Sequence, residues 1–364
     1  MDAIELTKEL IIENSENNKA GELGIAKLIS EKLDNLSIKY ALLPFGGQRA
    51  NLIAEIGTGK DGLMLNGHLD TVPIGDETKW HHSQGEETRG RIYGRGASDM
   101  KGGIASMLSA LEKANTLRLN KRILLVLVSD EESFSSGSLK LLKKHHNLLK
   151  GVRYGIISEP TGLGVQIAQK GAVGIKIEVS GKPAHGSTPW KGRNAIVDAS
   201  KFITQLQKDS GSLKKHKLFG RSSQNIGTIT GGTMGNVVPE ACTIEIDRRI
   251  IPGETGKTAL SKIRDTISKQ RIKAKASITF DAPPFNLDPS SRIASLVKTH
   301  SKTQFLYSNG YTEAELYKKL AGIDSVVFGP GEKRMAHTYD ESISIKKLRA
   351  HSECLVSIIR DYAT

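Results

Sequence analysis

The sequence predicts an α/β protein in which a helix-flanked, mostly parallel sheet is interrupted by an inserted α+β domain. Short apolar runs at 52–56, 63–66, 123–129 and 154–158 alternate with helix-like stretches at 100–114 and 136–146, as they do when helices cover a parallel sheet. At Gly171 the pattern changes to period-two alternation, and after Pro283-Pro284 the mixed helix and strand pattern returns. The simplest account is a discontinuous outer domain, 1–171 with 284–364, holding an insert of 172–283.

Taken in order, 3–12 and 21–33 carry apolar residues at helical spacing, the second through Leu23, Ile25, Ala26, Leu28, Ile29 and Leu33. The apolar runs that follow are strands, because they are short and bounded by polar or glycine-containing segments. Within the insert, 172–180 alternates through Val173, Ile175, Ile177 and Val179, 194–207 is helical, and 225–230 and 242–250 alternate again. A helix at 255–270 and a strand at 272–280 complete an antiparallel sheet with two helices. Beyond it come a helix at 289–300, the Asn309-Gly310 turn, a helix at 313–321, a strand at 325–328 and a last helix at 344–362.

Length and composition fit two globular domains: 364 residues, 38% hydrophobic and 25% charged. The chain has no apolar run of the roughly 20 residues a bilayer span requires, and its opening Met-Asp-Ala-Ile-Glu lacks the basic start of a signal peptide. A cytoplasmic enzyme without membrane contact is therefore expected. Cys242 and Cys354 are far apart and outside any CxxC spacing, which excludes a disulfide framework. The net charge of +13 comes from dispersed pairs such as Lys143-Lys144 and Lys318-Lys319 without interleaved aromatic residues. Such pairs describe a solvated surface rather than a nucleic-acid platform.

The chemistry lies in donors that follow apolar runs or glycine turns: His68, Asp99, Glu132, Glu159 and His337. Side chains at the carboxyl ends of parallel strands converge on one crevice, where this set can hold two divalent ions bridged by one carboxylate. Alone, the His68-x-Asp70 pair reads as a surface hydrogen bond and Glu131-Glu132 as a solvated helix start. Together they resist that reading, since adjacent carboxylates behind a buried strand oppose joint ionisation unless cations lie close. His81-His82 sit in a polar loop and His216 and His351 lack a carboxylate partner in sequence, so none of these joins the set.

Gly67-His-Leu-Asp-Thr-Val-Pro73, Gly94-Arg-Gly-Ala-Ser-Asp-Met-Lys-Gly102, Ser129-Asp-Glu-Glu-Ser133, Ser158-Glu-Pro-Thr161, Ala184-His-Gly186, Gly235-Asn-Val-Val-Pro239 and Phe328-Gly-Pro-Gly331 with Ala336-His-Thr338 together resemble the co-catalytic zinc amidohydrolases and metallopeptidases. That family includes acetylornithine deacetylase, succinyl-diaminopimelate desuccinylase, glutamate carboxypeptidase and aminoacylase. The resemblance implies that His68 and Glu159 bind one metal, Glu132 and His337 the other, and that Asp99 bridges. It implies zinc, with cobalt or manganese as alternatives. Asp70 is expected to accept the far N–H of His68, and Glu131 to be the general base.

The resemblance further implies that the insert is a lid and dimerisation domain, and that His185 reaches the site from the partner subunit of a homodimer to stabilise an oxyanion. Arg248 with Asn236 is expected to hold a substrate carboxylate, Arg249 being the weaker choice, and Thr312 to contact substrate. Tyr311 departs from the glycine frequent at its position. The expected reaction is hydrolysis of the amide bond of an anionic N-acyl amino acid, of the deacetylase or desuccinylase type found in amino-acid biosynthesis. The alternatives are exopeptidase action on di- or tripeptides and release of lysine or ornithine from an amino-group carrier protein.

Overall fold

The computed structural model describes residues 1–17 and 19–364. In chain order the principal elements are α1 (Ala3–Ile12), α2 (Leu23–Asn35), β1 (Lys39–Pro44), β2 (Ala50–Ile56), β3 (Gly62–His68), α3 (Gly102–Asn115), β4 (Ile123–Val128), α4 (Ser136–Lys144), β5 (Val152–Ile157) and β6 (Val165–Gln169). There follow β7 (Gly171–Ser180), α5 (Ala195–Asp209), β8 (Ser223–Gly231), β9 (Ala241–Ile250), α6 (Gly256–Lys269), β10 (Ala274–Ala282), α7 (Arg292–Ser301), α8 (Ala314–Ala321), β11 (Asp324–Val327) and α9 (Ile345–Ala363). They form two compact units, one of Met1–Ile167, Leu287–Leu306 and Thr312–Thr364, the other of Ala168–Asn286 and Tyr307–Tyr311.

The main sheet of the first unit runs β1-β2-β4-β3-β5-β11-β6. Its centre is parallel: β3 pairs with β4 (Leu65 opposite Leu125) and with β5 (Leu65 opposite Ile156), and β5 pairs with β11 (Ile156 opposite Val326). β2 joins β4 and β1 antiparallel, and β11 meets β6 antiparallel at Val327 and Gln166. Every residue of β3 and β4 is buried, so both faces are covered and the strands read as continuous apolar runs. Each fully buried Leu or Ile contributes about 1.5–3 kcal/mol.

The mixed α/β architecture expected from the pattern is present. β1 and β6 are strands that pattern reading passed over. β1 is an edge strand with no clean alternation of burial, and β6 is five residues long next to β7, so neither gives a period strong enough to read. The second unit also takes in 307–311, beyond the run of sequence between Gly171 and the proline pair.

In that second unit a four-stranded antiparallel sheet runs β8-β9-β7-β10. The inward residues Val173, Ile175, Ile177, Ile244 and Ile246 pack with Phe202 of α5 and Ile263 of α6 in one apolar core. Helix starts are set by side-chain caps. Asn194 accepts from Ile196 and Val197 N–H, and Thr255 with Thr258 forms a reciprocal capping box.

His351 on α9 stands inside the first unit as a neutral imidazole: Nε2 donates to the Phe328 carbonyl at 2.9 Å and Nδ1 lies 2.6 Å from Ser106 Oγ on α3. Burial pushes its pKa down to about 3. The unfolded chain takes up this proton near pH 6.5, so the stability tied to a neutral His351 is present above that pH and is lost as pH falls from about 6.5 toward 3. Chemical denaturation at pH 7 and pH 4.5 is expected to show a smaller pH-dependent loss of stability in His351→Leu than in the wild type. An equal loss in both rules His351 out as a source of the acid sensitivity.

Candidate metal-binding active site

The parallel strands deliver the donors to one edge of the sheet. β3 ends on His68, the chain leaving β4 turns at Asp130 into a one-turn helix Glu131–Phe134, and β5 is followed at once by Ser158 and Glu159. Glycine is required where these segments crowd. A Cβ on Gly329 would lie 2.3 Å from the carbonyl oxygens of both Ser158 and Glu159, and one on Gly137 would lie 2.3 Å from the Ser129 carbonyl. Asp130 and His337 hold left-handed backbone, φ 61° and 62°, uncommon outside glycine. Asp130 is anchored by an ion pair with Arg49 and a hydrogen bond from Ser136.

Five separated donors meet here. His68 Nε2 lies 3.1 Å from Asp99 Oδ1 and 3.7 Å from Glu159 Oε1. His337 Nε2 lies 2.9 Å from Glu132 Oε1 and 3.5 Å from Asp99 Oδ2. The two oxygens of Asp99 are thus divided between two imidazoles. Two overlapping sets, His68 with Asp99 and Glu132, and His68 with Glu131 and Glu159, have ligand atoms within 4.8 Å of one another.

Asp70 differs from its expected role in one respect. The N–H acceptor nearest His68 Nδ1 is the Asp70 backbone carbonyl at 3.0 Å, with the carboxylate at 3.5 Å. The carboxylate oxygens instead accept the amides of Glu131 at 3.0 Å and Glu132 at 3.1 Å. Asp70 therefore orients the imidazole through its main chain and the two glutamates through its side chain.

The electrostatics are those of a pocket short of positive charge. Burial, then the neighbouring Glu159, drives the Glu131 pKa well above the usual carboxylate range, and burial with Asp99 does the same to Glu159. Burial and Asp99 also raise Glu132. In the opposite direction, hydrogen bonds to Asp99 and Glu132 raise His337 to about 10. Burial opposes the charge on His68, yet Asp70 and Asp99 hold its pKa well above the ordinary value. Four carboxylates against two imidazoles, all oxygen or imidazole donors without a thiolate, fit a pair of divalent cations.

Several residues at the site carried no signal in sequence because they act on backbone. Glu341 accepts the Ser98 and Asp99 amides, and Glu22, fully buried, accepts the Asp130 amide at 3.2 Å. Glu313 is buried beside Thr312, and burial pushes its pKa up to about 7.

In the second unit the exposed His185 accepts the Ser187 amide on Nδ1 at 3.1 Å, which leaves Nε2 to carry the proton and point away as a donor. The Asn236 carbonyl accepts the Gly186 amide at 2.7 Å and so braces that turn. Arg248 must be corrected. Its guanidinium is 3% exposed and occupied by Glu254 at 3.0 Å and Gln224 at 2.9 Å, so it is a core ion pair and not a free carboxylate clamp. Arg249, one residue on and therefore on the opposite strand face, is 31% exposed and pairs with Asp247 at 3.0 Å. His81 and His82 pair with Asp340 and Glu86 in the 76–93 loop and stay outside the donor set.

Sheet edge and donor set define the class, a metal-dependent hydrolase. A sequence model of peptidase family M20/M25/M40 matches residues 64–361, and the chain belongs to that family. Among its relatives, a probable succinyl-diaminopimelate desuccinylase of Staphylococcus aureus strain N315 is 28% identical, over 93% of this chain and 92% of its own. The acetylornithine deacetylase of Pasteurella multocida strain Pm70 is 29% identical, over 93% and 91%. An M20 family metallo-carboxypeptidase from Sulfolobus solfataricus shares the fold with a TM-score of 0.82 at 19% identity, over 99% of both chains. A dinuclear metal-binding M20 peptidase of Bacillus subtilis gives 0.70 at 16%, over 98% and 97%. No helix among the described residues is long and apolar enough to cross a membrane.

With His337 and His68 protonated at neutral pH, a metal ion must displace protons to bind, so binding strengthens as pH rises. Zinc titrated into metal-stripped protein at pH 7 is expected to release protons, read as a calorimetric enthalpy that varies with buffer ionisation heat, and to bind more tightly at pH 8 than at pH 6. Binding that is pH-independent and releases no proton contradicts this charge balance.

Proposed function

We propose that the enzyme hydrolyses the amide bond of an N-acyl amino acid, of the acetylornithine or succinyl-diaminopimelate type. The observation that carries the reading is the division of Asp99 between His68 and His337, with Glu131 grouped with His68 and Glu159. His68 and Glu159 hold one ion, Glu132 and His337 the other, and zinc suits this donor set, as cobalt or manganese does. When bound, the ions supply the Lewis acidity that makes a water nucleophilic near neutral pH and polarises an amide carbonyl.

The chain's own groups do the rest. Glu131, kept basic by burial and by the carboxylates around it, removes a proton from the attacking water and delivers it to the leaving amine. His185, whose Nδ1 is taken by the Ser187 amide, offers Nε2 as the donor that stabilises the developing oxyanion. Arg249 takes the substrate carboxylate in place of Arg248, and Asn236 and Thr312 are the further candidates for substrate contact. Relatives named as a desuccinylase and a deacetylase match nearly the full chain, which supports a free N-acyl amino acid over a peptide. The tripeptidase and carboxypeptidase fold neighbours supply the second reading, an exopeptidase.

Large exposed apolar side chains support a homodimer through the second unit. Ile229 on the edge strand β8, Ile196 and Val197 at the start of α5, Met234 and Trp190 all stand in solvent in one chain.

A panel of N-acetylornithine, N-succinyl-diaminopimelate and di- and tripeptides, assayed with added zinc, cobalt or manganese, is expected to give its highest kcat/KM on one of the acylated amino acids. Glu131→Ala should lower kcat about 10²–10⁴-fold while two metal ions remain bound. Turnover of peptides alone rejects the deacylase reading, and undiminished hydrolysis in Glu131→Ala rejects the base.

Whether His185 acts across the dimer is settled by mixing inactive chains. His185→Ala and Glu131→Ala protomers, exchanged at equal amounts, are expected to recover about a quarter of wild-type activity, since half the dimers are mixed and each has one complete site. Recovery of nothing places His185 within its own subunit or outside the reaction.

A further inference from the structure

The segments that follow His68, lead into Asp99 and follow His337 all touch one buried ion pair. Arg95 Nη1 donates to Glu341 Oε2 at 2.7 Å and to the Thr338 carbonyl at 3.1 Å, beside His337. Arg95 Nε donates to the Pro73 carbonyl at 3.1 Å, on the segment leaving His68 and Asp70. The other oxygen of Glu341 accepts the amides of both Ser98 and Asp99, each at 3.0 Å, and its main-chain carbonyl accepts Gly94 N–H at 2.8 Å.

We infer that Arg95 and Glu341 are positioning residues that set where bridging Asp99 stands relative to the two imidazoles, and so the affinity for metal. The chemistry suits the task. A guanidinium fork reaches three acceptors in fixed directions, whereas a lysine ammonium on the same stem cannot hold Pro73, Thr338 and Glu341 together. Trp80 seals the outer side, with the guanidinium 5.3 Å from its ring centre, and Trp80 Nε1 is itself tied to the Ile74 carbonyl at 3.0 Å. Both side chains are buried, 9% and 1% exposed, so each is the other's polar partner away from water. Neither residue touches the reacting atoms. Groups that orient metal ligands from behind typically control metal affinity by about 10–100-fold.

This inference rests on the metal-site reading above, and Arg95→Lys and Glu341→Gln test it separately from that reading. In both variants the weaker zinc site is expected to lose at least about tenfold in affinity by chelator competition. The absorption bands of the cobalt-loaded protein should shift, and kcat should fall more than KM rises. Wild-type zinc affinity and cobalt spectrum in both variants, with or without a loss of stability, overturn the inference. Should neither variant fold, hydrogen exchange on the metal-stripped wild type decides: Ser98 and Asp99 amides are expected to be protected without metal, and rapid exchange of both overturns it. A wild-type protein that binds no divalent ion refutes the metal site itself.

Discussion

Repulsion among carboxylates held out of water is the constraint around which the first unit is built. Asp99, Glu131, Glu132 and Glu159 converge on the edge of a sheet whose strands are buried on both faces. Water cannot screen them there, and among the described residues the donor set offers two imidazoles as its basic groups. A fold optimised for stability alone has no use for such a cluster. Its persistence makes sense when cations complete the charge, and the same deficit that destabilises the empty pocket is what drives divalent ions into it.

Holding the donors apart while they repel is a main-chain problem. The chain solves it with acids placed one layer behind the ligands: Asp70 holds the amides of Glu131 and Glu132, Glu341 those of Ser98 and Asp99, and Glu22 that of Asp130. Buried amides need acceptors in any case, and a charged acceptor makes the stronger bond. Each of these acids therefore satisfies backbone that would otherwise be orphaned in a loop and fixes a main-chain segment next to the donor set. The left-handed turn at Asp130 is tolerated because Glu22, Arg49 and Ser136 together over-determine it.

Much of this was legible in the sequence, for identifiable reasons. His68, Asp99, Glu132, Glu159 and His337 stand directly after apolar strands or glycine turns, and strand ends are places where periodicity is strong. The insert showed itself because alternation at Val173, Ile175 and Ile177 differs in period from what precedes it. The supporting acids were not legible, since Glu22 and Glu341 bind amides and any carboxylate of the right reach could do so. Lys101 was hidden for a similar reason: inside the Gly94 to Gly102 motif it is buried and donates to the Glu13 carbonyl, and burial lowers its pKa to about 7. The arginine pair failed differently. On β9 a one-residue shift exchanges core for surface, and nothing in Arg248-Arg249 itself says which of two identical side chains faces in. The Glu254 partner decides it, and it lies beyond the strand.

Charge at long range acts with a different sign from charge at the centre. The chain carries 52 lysines and arginines against 39 acids, while the donor pocket concentrates carboxylates. Bare, that pocket repels an anionic N-acyl amino acid. Two divalent ions reverse its local sign, after which surface and site attract the same ligand. The surface contribution is confined to roughly 8–10 Å at physiological salt, so it affects encounter and not the final contacts. In the second unit Tyr311 packs edge-on to Phe280 at 5.4 Å, a bulky ring where the family resemblance leads one to expect glycine. A ring held in this way restricts the conformations open to 309–311 more than a glycine would.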